Sequence, residues 1–139
     1  DMIACADREK KEQKDWNRAL RETKGDEGRL VSSFWYEAEL QDSDCSGKAL
    51  CFLQFENCSL QNMNFGKADL IGARFRNCTL KTCDFRGAIL RQTIFEDCKW
   101  DQCDFQGADL TECIFFEDDI PFLHLDADQL QVILIDRRA

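Results

Sequence analysis

Proline, histidine and long apolar runs are nearly missing from this chain of 139 residues, and over one stretch so are basic residues. The one proline, Pro121, and the one histidine, His124, lie together near the C-terminal end. His124 has no Ser or Cys beside it in a recognisable nucleophile motif, and no catalytic constellation occurs elsewhere. The chain is therefore expected not to be an enzyme and to use no cofactor. No Gly-rich phosphate loop is present. No apolar run approaches the roughly 20 residues that cross a bilayer. The opening Asp1-Met2-Ile3 has neither a basic nor an apolar stretch of signal-peptide type, so a cytoplasmic location is expected. Between Glu96 and Asp119 nine acids stand against Lys99 alone, whereas residues 1–29 hold eight of each sign and residues 37–95 seven of each. Almost the whole net charge of −9 thus gathers near one end. A field of that sign repels nucleic acid and attracts basic proteins, which counts against direct nucleic-acid binding.

What the chain does have is a period of five. Leu50, Phe55, Leu60, Phe65, Leu70, Phe75, Leu80, Phe85, Leu90, Phe95, Trp100, Phe105, Leu110 and Phe115 follow one another at that spacing. Two residues before most of them stands a small residue, such as Cys58, Ala68, Ala73, Cys78, Cys83, Ala88, Cys98 or Ala108. Five matches neither a helix at 3.6 nor a strand at 2. It suits a chain that turns a corner in every pentad, with a large and a small residue inward and polar residues or Gly outside. Fixed short periods mark solenoids.

Ala68-Asp69-Leu70-Ile71-Gly72 and Ala108-Asp109-Leu110-Thr111-Glu112 resemble the A(D/N)LXX unit of the pentapeptide-repeat family. The resemblance spans residues 36–118 and implies an all-β solenoid, a right-handed quadrilateral β-helix with four pentads to a coil. About four coils stacked at about 4.8 Å give a rod of about 20 Å. A twenty-residue correlation agrees: Cys58, Cys78 and Cys98 form one column, Cys83 and Cys103 another, and Ala68, Ala88 and Ala108 a third. Leu and Phe should occupy alternate faces, and Trp100 should need extra room in its Leu column. Glu56, Arg76 and Glu96 should form a charge ladder outside. With Cys45 at a central place and Lys48 at a small one, the first coil is expected to be distorted.

The domain reading is an N-terminal helical cap over 1–29, the β-helix over 30–119 and a C-terminal cap over 120–139. Trp16, Ala19 and Leu20 are the only apolar cluster of the charged segment 6–24, and a helix there should pack Trp16 and Leu20 onto the first coil, with Gly25 and Gly28 ending it. Asp126 and Gln129 have capping-box spacing. Leu130, Ile133 and Leu134 suit the stripe of a short capping helix, while Gln131–Ile135 also suits a strand. Most of the nine cysteines fall in the small interior slot, where Cys acts as a compact apolar residue. Reduced thiols are expected, and parallel columns do not converge as a zinc site requires.

These features point to a non-enzymatic protein-interaction module with a protein partner, a basic one if it docks on the acidic coil. The candidate contact residues are Asp97, Asp101, Asp104, Asp109 and Glu112, with Ile94 and Ile114 as an outward apolar pair. The acidic coil is open to a second reading as a solubility device. The family resemblance also implies an alternative: a DNA-mimicking topoisomerase inhibitor or protector, as in the quinolone-resistance members that engage gyrase through a longer acidic rod dimerised by a C-terminal helix. A homodimer through the C-terminal cap stays open on the same ground. The start at Asp1 leaves open the repeat domain of a larger bacterial effector.

Overall fold

The computed structural model describes residues 10–24 and 28–138. The repeat folds as a stack of parallel rungs. One face is a six-stranded parallel sheet made of β1 (Phe34–Tyr36), β3 (Gln54–Glu56), β5 (Arg74–Arg76), β7 (Ile94–Glu96), β9 (Ile114–Phe116) and β10 (Leu134–Asp136). The adjacent face, one corner further along each coil, is a four-stranded sheet of β2 (Glu39–Asp44), β4 (Ser59–Asn64), β6 (Thr79–Lys81) and β8 (Lys99–Asp101). The other two sides are joined by single parallel bridges, Ala49–Asp69–Ile89–Asp109 and Asn64–Asp84–Asp104. Every pairing between coils is twenty residues in register, as in Phe34 with Gln54 and Leu60 with Leu80. The result is a quadrilateral β-helix of four coils from Trp35 to Phe115.

The period of five is written in the backbone. From Ser32 to Glu112, every fifth residue is left-handed, with φ between 52° and 74°. Four of these corners are Gly47, Gly72, Gly87 and Gly107; all the rest carry side chains, most of which cost about 1 kcal/mol or more each. The corner N–H groups offset this by donating to the next coil: Phe52 to the Ile71 carbonyl at 2.9 Å, Thr82 to Asp101 at 2.8 Å, Gln92 to Thr111 at 3.0 Å. Aspartates set the following turn. Asp69, Asp84, Asp104 and Asp109 each accept the N–H two residues on, at 2.9–3.1 Å, and Asn64 does the same for Gly66. Gly72 has a second reason to lack a side chain, because the exposed Phe52 ring lies 2.5 Å from where its Cβ would be.

Inside, the Phe columns stack. Phe55, Phe75, Phe95 and Phe115 follow one another at ring distances of 5.3, 4.7 and 5.2 Å, and Phe65, Phe85 and Phe105 at 5.2 and 5.0 Å. The Leu columns fill the alternate faces. Trp100 is too large for its Leu column and stays half-buried, its Nε1 donating to Asp119 at 3.3 Å. The small slot also asks for a donor. The thiols of Cys58, Cys78, Cys98, Cys83 and Cys103 approach the carbonyls of Trp35, Phe55, Phe75, Leu60 and Leu80 at 3.3–3.6 Å, and the Thr93 hydroxyl donates to Leu70 at 2.7 Å. These cysteines are therefore weak donors as well as apolar fillers.

The first coil departs from expectation: it is not distorted. Cys45 N–H donates to Asn64 at 2.7 Å, as Phe65 N–H does to Asp84 one coil on. The register is held by the backbone ladder, so a buried Cys45 and a half-buried Lys48 are accommodated without a bulge.

Helix α1 (Gln13–Arg21) covers the N-terminal end and is opened by a Glu12/Asp15 capping box. Trp16 is fully buried, edge-on to Trp35 at 5.1 Å and tilted on Phe55 at 5.5 Å. Gln13 Oε1 accepts the Gln41 N–H at 2.7 Å and satisfies the open edge of β2. The helix stops at Arg21; Gly25 lies outside the described residues, and Gly28 is too far along to end it.

At the other end a 3-10 turn (Glu117–Phe122, containing Pro121) leads to helix α2 (Ala127–Val132) and then β10. The Asp126/Gln129 capping box forms. Of the expected stripe only Ile133 is buried. Leu130 and Leu134 are exposed, while Gln129 is buried, donating from Nε2 to the carbonyls of Phe105 at 2.8 Å and Ala108 at 3.1 Å. The last coil ends in carbonyls that need donors, so an amide takes the place a leucine was expected to fill.

Candidate partner-binding end

The acidic residues do not share a face. Asp97 sits on the corner after β7, Asp101 ends β8, Asp104 and Asp109 lie on the two bridged sides, and Glu112 occupies the corner before β9. They form a girdle around the last coil. Several are already engaged. Asp97 pairs with Arg138, which also reaches Asp136 at 3.0 Å and lies over the Phe116 ring at 5.0 Å. Arg137 meets Glu117 at 3.6 Å, Arg91 meets Asp109 at 3.6 Å and Arg86 reaches Asp104 at 4.0 Å. Among the described residues, Asp101, Glu112, Asp118, Asp119, Asp126 and Asp128 make no ion pair. The roles of Arg137 and Arg138 were not foreseen, because only folding back through β10 brings them to the girdle.

Local chemistry separates these carboxyls. The Thr111 hydroxyl bound to Asp109 at 2.7 Å holds that carboxyl below its ordinary value, helped by the Thr111 N–H and Arg91. The guanidinium of Arg86 does the same for Asp84. Asp119 moves the other way: burial, with Asp118 and Asp97 nearby, pushes its carboxyl up against the opposing bond from Trp100.

The expected apolar pair is brought together. Ile94 and Ile114 are partners in register, and Leu134 continues the row. Ile94 and Ile114 are half-buried and Leu134 is exposed. Ile71 and Ile89 lie on a neighbouring side and do not join them. At the same end of the rod, the cap exposes Phe122 (70 %), Leu130 and Val132. The charge ladder forms further along the same sheet, Arg76 lying 3.5 Å from Glu56 and 3.3 Å from Glu96. Such exposed pairs contribute about 0–1 kcal/mol each. Among the described residues no group of three or more His, Cys, Asp or Glu could hold a metal ion, and no helix is long and apolar enough to cross a membrane.

A stack of twenty-residue coils with left-handed corners every fifth residue defines a pentad solenoid. The family model for the pentapeptide repeat region matches residues 50–124, and the chain belongs to that family. Among solved structures it is similar to QnrB1, described as a plasmid-mediated fluoroquinolone resistance protein. A trypsin-treated form matches at 24% identity and a TM-score of 0.56, over 63% of this chain and 50% of that one. The full-length form matches at 22% and 0.56, over 63% and 51%. Rfr23, a pentapeptide repeat protein from the cyanobacterium Cyanothece 51142, matches at 21% and 0.30, over 55% and 58%. The chain thus spans about half the length of QnrB1. No curated protein matches it in sequence.

Proposed function

We propose that this chain is a non-enzymatic protein-interaction module that receives a basic partner at its C-terminal end. The observation that carries the reading is the company of two features there: carboxylates without ion pairs, and exposed Phe122, Leu130, Val132 and Leu134. Exposed apolar side chains among unpaired carboxylates fit a basic, amphipathic protein surface better than nucleic acid. The thiols packed in the core favour a reducing, cytoplasmic setting.

The test is a binding assay with a partner captured from the native host. Wild type is compared with a variant carrying Asp101→Asn, Asp104→Asn, Asp109→Asn and Glu112→Gln. Asn64 already serves at a corner, so Asn at 104 and 109 preserves the turn. Binding should weaken with salt and with the substitutions. Binding indifferent to both would move the site to the Ile94/Ile114 row. The DNA-mimic alternative predicts that wild type inhibits gyrase supercoiling and that the neutralised variant does not. The effector reading predicts that the longer protein holding this repeat carries an enzymatic part. A homodimer through the cap is favoured by the outward Leu130, Val132 and Leu134; sedimentation across protein concentration decides it.

A further inference from the structure

The two cysteine columns are built alike and differ in access. Cys58, Cys78 and Cys98 occupy successive rungs on one side, all buried. Cys83 and Cys103 occupy successive rungs on another, fixed by the parallel bridge between Asp84 and Asp104. Cys83 is buried, but Cys103 is only half-buried. It borders a cleft of about 490 Å³ lined also by Asp104, Gln106, His124, Asp126 and Gln129. The cleft exists because the next residue of that column, Leu123, belongs to the cap rather than to another coil.

We infer that Cys103 is an oxidant-accessible thiol with Cys83 as its resolving partner, and that a hydroperoxide converts the pair into a disulfide between successive coils. Rungs stand about 4.8 Å apart, inside the Cα range of about 4.4–6.8 Å that a disulfide spans. Acidity agrees with this division of labour. A hydrogen bond from Cys83 holds the Cys103 thiol below its ordinary value against burial and Asp101, while Cys83 is pushed far up by that same bond and by burial. The more acidic thiol is also the one the solvent reaches, which is what oxidation selects for. Asp104 and Asp126 in the cleft disfavour anionic oxidants and leave a neutral hydroperoxide as the fitting class.

The steps balance. The Cys103 thiolate attacks one peroxide oxygen; the S–O bond forms, the O–O bond breaks, and the alcohol or water leaves with the proton that Cys103 gave up. The Cys83 sulfur then attacks the Cys103 sulfur. The S–S bond forms, the S–O bond breaks, and hydroxide leaves as water with the Cys83 proton. Two thiols and one hydroperoxide give one disulfide, one alcohol and one water. The third coil is thereby fastened to the fourth, at the end assigned to the partner.

The experiment treats the full chain with hydrogen peroxide and reads intact mass and peptide maps. Wild type should lose two hydrogens, yield a Cys83–Cys103 cross-linked peptide, and recover with dithiothreitol. Cys83→Ser should stop at a Cys103 sulfenic acid that dimedone traps, and Cys103→Ser should give neither product. First oxidation within the Cys58–Cys78–Cys98 column would overturn the inference. So would reaction at Cys5 or Cys51 with the pair untouched, or a wild type as inert as Cys103→Ser. Serine can donate in this slot as Thr93 does; should a serine variant not fold, the alanine variant replaces it, since Ala68, Ala88 and Ala108 fill the same kind of slot.

Discussion

The two ends of the rod are closed by different means. The N-terminal end is sealed by a ring: Trp16, fully buried, continues the Phe55–Phe75–Phe95–Phe115 stack, and Gln13 and Lys11 satisfy the neighbouring edges, Lys11 donating to the Phe34 carbonyl at 2.6 Å. The C-terminal end is closed by Leu123 and Ile133, which join the core, and by the buried amide of Gln129, and it leaves other apolar side chains and unpaired carboxylates outside. A stack of identical coils must cap both ends to stay soluble. An end capped with its apolar surface inside has little left to offer a partner. On the proposed reading, the end that keeps leucines outward beside its capping amide is the one left for contact.

The sharpest way to break this comparison is to remove the ring. Trp16→Ala should cost about 3–5 kcal/mol, the range for truncating a buried aromatic. Phe85→Ala, in the middle of the rod, is the reference and should cost the same about 3–5 kcal/mol. Urea denaturation measures both. If Trp16→Ala costs less than a surface change, the N-terminal end is not sealed by that ring. At the other end Gln129→Ala leaves the Phe105 and Ala108 carbonyls without their donor and should cost about 1–3 kcal/mol. A loss equal to that of Trp16 would mean that the two caps do not differ in kind.

Acid should act in opposite ways on these carboxyls. The carboxyls of Asp84 and Asp109 are held below their ordinary value, so the stability they contribute is present above that value and is lost as pH falls through their depressed ones. Asp119 is held above it, so its contribution is present at low pH and is lost as pH rises through its raised value. Asp109→Asn should flatten the acid limb of a melting-temperature profile. Asp119→Asn should flatten the limb just above the ordinary carboxylate range. Identical profiles for wild type and both variants would show that these groups titrate alike in folded and unfolded chains.

The repeat was legible because every coil repeats the same physics: one inward Leu or Phe, one inward small residue and one corner, every five residues. Twenty-residue columns such as Cys58–Cys78–Cys98 followed from it. The caps were less legible because each is used once. Nothing local marks Gln129 as buried; that depends on carbonyls of Phe105 and Ala108 more than twenty residues earlier. The same holds for Arg138 returning to Asp97. The acidic residues were adjacent in sequence, yet a chain that turns a corner every five residues distributes them around all four sides. The distorted first coil was a misreading of side chains in a ladder whose register the backbone sets.

The smallest expected effect is the one that bears most on function. Leu130→Gln and Leu134→Thr replace apolar side chains that the structure leaves exposed, at 43% and 48%. Each should change stability by no more than about 0.5 kcal/mol, as should Gln61→Ala on an outer face mid-rod. Their effect should appear in association instead: a weaker complex, or a dimer driven toward monomer, at unchanged urea midpoint. Exposed apolar side chains gathered at one end of a rod mark a surface that a partner can cover. Should the leucine variants lose more than about 1 kcal/mol while Gln61→Ala does not, those side chains are buried within the molecule itself. The C-terminal end would then be as closed as the N-terminal one, and the contact surface would have to be sought along the sides of the rod.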